Sequence, residues 1–185
     1  MNLRKAIEKR RSIRAFSQKE IPEKILRFCI DQARFAPSAM NKQPLEYIIV
    51  NDRKREQIFN NIVFGGQVNN KEKKPTAYII VLSNSNINQN PDYDVGLAVQ
   101  NIVLTAFSQK MGTCILGSIN QKAIRSLLNI PFNFEIKLVI ALGYPAEKSI
   151  TQEVESSFEY YRKNNILVVP KRKLKNIIHF NSYEE

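Results

Sequence analysis

Tryptophan is absent, histidine occurs once, cysteine twice and glycine six times in 185 residues. Each scarcity removes a class of chemistry. With His179 as the lone histidine, neither a zinc site of His and Cys nor a His-based triad assembles readily. Cys29 and Cys114 cannot build a disulfide framework, and two isolated thiols suit a reducing compartment. The longest apolar runs, such as Tyr78–Leu82 and Leu138–Leu142, fall far short of the ~20 residues of a membrane helix. The segment Met1–Phe16 is charged throughout and has no apolar core, so it does not read as a signal peptide; a cytoplasmic location is expected. There is no G-x-G-x-x-G, P-loop, C-x-x-C or G-x-S-x-G. Rossmann, kinase-type, thioredoxin-like and hydrolase readings therefore lack their fingerprints.

What is present is an ordinary globular composition, 43% hydrophobic and 24% charged, in a length that suits one domain. The net charge of +11 is the unusual total. Such a balance suits nucleic acid, an anionic surface or an anionic ligand. The basic residues are spread along the chain, and its wealth of Lys, Asn and Ile also fits drift in base composition. Two clusters stand out: Lys9-Arg10-Arg11 with Arg14, and Lys171-Arg172-Lys173 with Lys175.

The spacing predicts a short helix over Asn2–Arg10 and a loop or extended stretch over Arg11–Ser17. A second helix starts at Pro22, with Ile25, Leu26, Cys29, Ile30 and Ala33 on one face, and stops at Pro37. Pro37–Pro44 is a polar loop and Tyr47–Val50 a strand. Asp52 caps a helix running to about Val63. Phe64–Pro75, with Gly65-Gly66, is a loop, Ala77–Leu82 a buried strand and Ser83–Asn90 a surface turn region. A long helix, Asp92–Lys110, is apolar around nearly its whole circumference. It therefore belongs inside the protein or in a subunit interface, and Gly112 ends it. Asn120 caps a helix to about Leu128, and Ile136–Tyr144 is a third strand. The tail from Thr151 to Glu185 is polar and basic apart from Ile166–Val169. Helices and strands mix without regular βαβ alternation, which favours α+β.

Three features resemble parts of a binding site. In an extended Arg10–Arg14, alternate side chains share a face, so Arg10, Ser12 and Arg14 could clamp a phosphate or oxyanion. The same run reads equally as a solvated basic turn. Pro37–Pro44 offers the uncharged donors and acceptors of Ser38, Asn41 and Gln43, which suit a flat polar heterocycle; it also reads as an ordinary helix-to-strand connection. Leu116-Gly117-Ser118 lets backbone approach a ligand closely, though an isolated glycine means little alone.

In order, "RRSIRAF" at Arg10–Phe16, "APSAMNKQP" at Ala36–Pro44 with the following "LEYIIV", and "DVGLAVQNIVLTAFSQKMGT" leading into "CILGS" resemble the nitroreductase family of flavin enzymes. "IKLVIALGYPAEK" and the late "PKRKL" extend the resemblance over nearly the whole chain. It implies an α+β three-layer sandwich with a mainly antiparallel sheet, a single FMN-binding domain over 1–185, and a C-terminal extension from 151 contributing to dimer and site. It implies an intertwined homodimer with FMN at the interface. Arg10 and Ser12 would hold the phosphate with Arg172 and Lys173, and Arg11 would also belong to the cofactor site. Arg14 would face the flavin pyrimidine edge, where reduced flavin is negative. Pro37, Ser38, Ala39, Asn41 and Gln43 would come from the partner chain. Leu116 and Gly117 would offer backbone donors near the reactive edge. Leu45 stands where many relatives carry Trp. The chain is short for the family, so Phe64–Pro75 is the remnant of a longer insertion, with Lys71 and Lys73 as further candidates for flavin contact.

The implied activity takes hydride from NADH or NADPH and passes it to a nitroaromatic, quinone or similar small acceptor in ping-pong fashion. No protein acid or base is required, because the cofactor carries the hard chemistry. The alternative is a flavin carrier or sensor of the same fold. A nucleic-acid module is a weaker rival, since there is no recognition-helix motif and the aromatics do not interleave with the basic clusters.

Overall fold

The computed structural model describes residues 2–64 and 71–183. The chain divides into two compact units, 1–146 and 147–185. Gly65 and Gly66 lie outside the described residues.

The first unit is built on a four-stranded antiparallel sheet in the order β1-β2-β4-β3. Its strands are β1 (Leu45–Val50), β2 (Ala77–Asn84), β3 (Gly112–Leu116) and β4 (Phe134–Gly143). Strand β2 is apolar on both faces because both faces are covered. Ala77, Ile79 and Val81 pack with α2 (Glu23–Ala33) and α4 (Asp92–Ser108). Tyr78, Ile80 and Leu82 face the other way, into a core that takes Ile58 from α3 (Lys54–Phe59) and Ile124 from α5 (Gln121–Leu128). This is the expected three-layer α+β sandwich. The β2–β4 register shifts between Val81 and Leu82. Lys137 is the extra residue, and the shift puts Ile136 in the same core as Val139 and Ala141.

The N-terminal helix α1 (Leu3–Lys9) begins at Asn2, whose side chain accepts from the Lys5 N–H. The helix expected over Asp52–Val63 is shorter. Asp52 Oδ1 accepts from Lys54 N at 2.9 Å, but the helix ends at Phe59. Beyond it, Val63 N donates to Ser118 O at 2.9 Å and Ile62 bridges Ile119, so these residues bond across to the loop after β3. Gly112 does not end α4. Lys110 takes the left-handed conformation (φ 63°), with Met111 N on Ala106 O and Lys110 N on Phe107 O. Gly112 instead opens β3 and pairs with Gly143.

In the second unit the tail is more regular than its polar composition suggests. Strands β5 (Lys148–Val154), β6 (Tyr161–Lys163) and β7 (Ile166–Arg172) form a sheet in the order β5-β7-β6. β5 and β7 are parallel; β6 and β7 form a hairpin turned by Asn164 and Asn165, both at positive φ (50° and 61°). Two consecutive left-handed residues are what a two-residue hairpin turn requires, and Asn tolerates them.

Candidate functional site

The Arg10–Phe16 segment is extended and fixed to the sheet at both ends. Ser12 bridges Thr113 of β3, and Ile13 N donates to Thr113 O at 2.8 Å. Phe16 bridges Pro145, and Ala146 N donates to Ala15 O at 2.8 Å. The paired glycines form the seat. A Cβ on Gly112 would lie 2.8 Å from Ile13 Cβ, and one on Gly143 would lie 2.6 Å from Phe16 Cδ1. The requirement is space rather than backbone freedom.

This seat fixes the basic run. Arg10, Arg11, Ser12 and Arg14 are all half-buried. Arg11 donates to the carbonyls of Glu8 and Arg10 and so caps the end of α1. Among the described residues no hydrogen bond or ion pair reaches the Arg10 guanidinium, and burial pushes its pKa down. Arg11 is pushed down too, by burial first and then by the charge of Arg10. Two adjacent cations, both partly desolvated, are stabilised by any anion that joins them.

The Ala36–Pro44 loop is a tight knot rather than a floppy connection. Ser38 Oγ accepts from Gln43 N at 3.0 Å, Asn41 N donates to Ser38 O at 2.9 Å, and Gln43 Nε2 donates to Asn41 O at 3.3 Å. Met40, Asn41 and Gln43 all have positive φ, between 50° and 55°. For non-glycine residues that conformation costs roughly 1–2 kcal/mol each, less for Asn. Asp94, buried in the first turn of α4, accepts from Ala39 N at 3.0 Å and from Asn88 Nδ2 at 3.1 Å. Behind the loop lies a cavity of about 180 Å³, lined by Pro37, Ser38, Gln43, Tyr47, Asp94 and Ala98 among others. Burial pushes the Tyr47 phenol up to about 12. The cavity is smaller than the ~300–1,000 Å³ of ordinary ligand pockets.

One chain brings some of the expected residues together and keeps others apart. Leu116 ends β3 about 10 Å along the strand from Thr113, where Ser12 bridges, and Gly117 follows just past the strand. A Cβ on Gly117 would meet only Leu138 Cδ2, at 3.8 Å, so packing does not demand glycine there. The Ser38 loop sits at the start of α4, whereas the Arg10 segment lies against Gly112, just past its end. The 17 residues of α4 separate them by about 25 Å.

Arg172 and Lys173 belong to the second unit. Arg172 donates to Asn176 O, and Lys173 Nζ lies 2.6 Å from Glu155 Oε1. Hydrogen bonds from Lys173 and Asn176 hold the Glu155 carboxyl down to about 2. Lys73 carries a backbone role, its carbonyl accepting from Phe16 N at 3.0 Å. Sequence reasoning missed Asp94, Asn88 and Glu155. Asp94 is readable as an acid in a first helical turn, but nothing local signals that it reaches residue 39.

Comparison with known proteins gives the lineage. The sequence profile of a family described as "Putative TM nitroreductase" matches residues 2–184. The chain is 34% identical over 162 residues to a "Putative NADH dehydrogenase/NAD(P)H nitroreductase" of Methanothermobacter thermautotrophicus, covering 83% of each chain. It is 32% identical to a protein of the same description from Archaeoglobus fulgidus, covering 83% of this chain and 91% of that one. A solved structure of that description from Parabacteroides distasonis superposes with a TM-score of 0.75 at 24% identity, covering 97% of both chains. Profile, relatives and fold agree over nearly the whole length, and the chain belongs to the nitroreductase family.

Proposed function

We propose that the protein is an FMN-dependent oxidoreductase that works as a homodimer in the cytoplasm. It takes reducing equivalents from NADH or NADPH and delivers them to a nitroaromatic, quinone or similar small acceptor, donor and acceptor using one site in turn. Its relatives carry the donor in their names, and one solved neighbour of the same fold is described as an FMN-dependent nitroreductase of Clostridium difficile. When bound, FMN supplies the hydride and electron chemistry.

The observation that carries the reading is the half-buried Arg10 guanidinium beside Arg11 and Ser12, pushed down in pKa by burial and lacking a partner among the described residues. The phosphate of FMN fits that need. Arg10 and Ser12 hold it, with the charge of Arg11 beside them. Arg14 keeps positive charge against the pyrimidine edge of the ring. In this reading Leu116 and Gly117 lie near the reactive edge of the ring, and Gly117, where a Cβ would meet only Leu138 Cδ2 at 3.8 Å, lets the ring approach the backbone closely. Pro37, Ser38, Ala39, Asn41 and Gln43 orient the ring from the partner chain. The length of α4 supports this split, because it separates the loop from the clamp within one chain.

The outward face of α4 supports the dimer. Tyr93, Leu97, Gln100, Leu104 and Phe107 recur at alternating steps of four and three, with Tyr93 88% and Leu97 46% exposed. A seam of that period is self-complementary with a second copy.

Binding of FMN and of riboflavin, which lacks the phosphate, tests the assignment. Arg10→Ala is expected to weaken FMN by about tenfold to a hundredfold and leave riboflavin unchanged. A wild-type protein that stays colourless after incubation with FMN refutes the reading. Anaerobic bleaching by NADH or NADPH separates a reductase from a flavin carrier.

A further inference from the structure

We infer that Asp94 is a positioning residue for flavin binding, acting with Asn88 to set the shape of the Pro37–Pro44 loop. The inference rests on the FMN reading above and adds a residue pair that acts through the loop.

Asp94 is 4% exposed, and its two oxygens take different partners. Oδ1 accepts from Ala39 N at 3.0 Å and Oδ2 from Asn88 Nδ2 at 3.1 Å. Asn88 is itself oriented, since its Oδ1 accepts from Asn90 N at 3.1 Å and its backbone N donates to Asn84 O. A relay of hydrogen bonds thus runs from the β2–α4 connection through Asn88 and Asp94 to Ala39. The first turn of α4 favours a carboxylate at this position.

The loop depends on this tie more than most loops do. Its backbone is left-handed at Met40, Asn41 and Gln43, a conformation that persists only where the surroundings impose it. Apolar packing does not impose it, because a cavity lies behind Ser38 and Gln43 and Met40 is 82% exposed. Besides Asp94, the hydrogen bonds found among the described residues are internal to the loop, except that Asn84 N at the end of β2 donates to Pro44 O at 2.9 Å and so anchors the last residue of the loop, not the left-handed stretch at Met40–Gln43. Asp94 joins the knot to α4, the helix whose outward seam would meet the partner.

Donor and acceptor logic gives the test. Asp94→Asn keeps an oxygen for Ala39 N but turns an amide donor toward the Asn88 amide. The exchange Asn88→Asp with Asp94→Asn restores the pairing: the residue-94 amide donates to the residue-88 carboxylate, which still accepts from Asn90 N. Flavin affinity is measured by fluorescence quenching for wild type, Asp94→Asn, Asn88→Asp and the exchange, each verified as folded by circular dichroism. Asp94→Asn and Asn88→Asp are expected to weaken FMN and riboflavin by the same factor, about tenfold or more, because the loop holds the ring. The exchange is expected to return both affinities to within about threefold of wild type. Arg10→Ala, by contrast, affects FMN alone. Unchanged affinity in the folded single variants, or an exchange that folds without recovering affinity, overturns the inference. If a single variant does not fold, the exchange decides alone, and its failure to fold counts against the relay. A wild type that binds neither flavin overturns the functional reading instead, and this inference with it.

Discussion

Gly112→Ala is the most demanding test of how the basic segment is held. The added Cβ would sit 2.8 Å from Ile13 Cβ, 2.9 Å from Cγ1 and 3.0 Å from Cγ2, against 3.4 Å or more for ordinary contact. A flexible side chain could swing away, but Ile13 Cβ is bonded to the backbone and cannot. Relief therefore requires the Ile13 backbone to lift from β3. That movement strains or breaks the 2.8 Å bond from Ile13 N to Thr113 O. Overpacking of this kind costs about 1–3 kcal/mol, and a lost backbone hydrogen bond about 1 kcal/mol more. The sum, about 2–4 kcal/mol, lowers the melting temperature of a domain this size by about 5–15 °C. Thermal unfolding of the flavin-free protein, followed by circular dichroism, reads the effect directly. Because Arg10 and Ser12 ride on the same segment, the variant also binds FMN more weakly. A melting temperature within about 2 °C of wild type refutes the claim that the Gly112–Gly143 pair is the seat of this segment.

Gly117→Ala should behave in the opposite manner. Its Cβ meets a single atom at 3.8 Å, so stability of the flavin-free chain stays within about 1 kcal/mol while FMN affinity drops at least tenfold. Leu97→Asp, on the outward seam of α4, is expected to give monomers by light scattering and to lose FMN in the same step. The Glu155 carboxyl, held down to about 2 mainly by Lys173, contributes its pairing above the ordinary carboxylate pKa and loses it as pH falls through about 2. A carboxyl carbon titration by NMR should place its midpoint near that value, and Lys173→Ala should raise it.

The layered core of the first unit was legible because periodicity and burial agree there. Leu26, Cys29 and Ala33 recur at helical spacing and are all buried, and β2 is a continuous apolar run covered on both faces. Gly112 misled because a glycine after a helix reads as a terminator. Its use lies in contact with Ile13, ninety-nine residues away in sequence. The second unit was hidden for another reason. The residues of β5, KSITQEV, are mostly exposed and barely alternate, while the Asn164-Asn165 turn signal was submerged in an Asn-rich chain. The same richness concealed Asn88, one asparagine among several in a stretch that reads as surface turn. The Arg10–Arg14 run was visible as charge, yet sequence could not separate Arg11, which caps α1, from Arg10, for which no partner is found among the described residues.

The length of α4 has a consequence for how the protein would respond to its own abundance. In the homodimer proposed above, each flavin is clasped by a loop from one chain and a clamp from the other. Occupancy and association are then linked by mass action: the factor by which FMN tightens the dimer equals the factor by which dimerisation tightens FMN. Simple dilution releases both. Apparent FMN affinity measured at nanomolar chain would be weaker than at micromolar chain, with no change in any contact, and a cell making little of the protein would hold it largely colourless. Expression level then sets the fraction of active sites as well as their number.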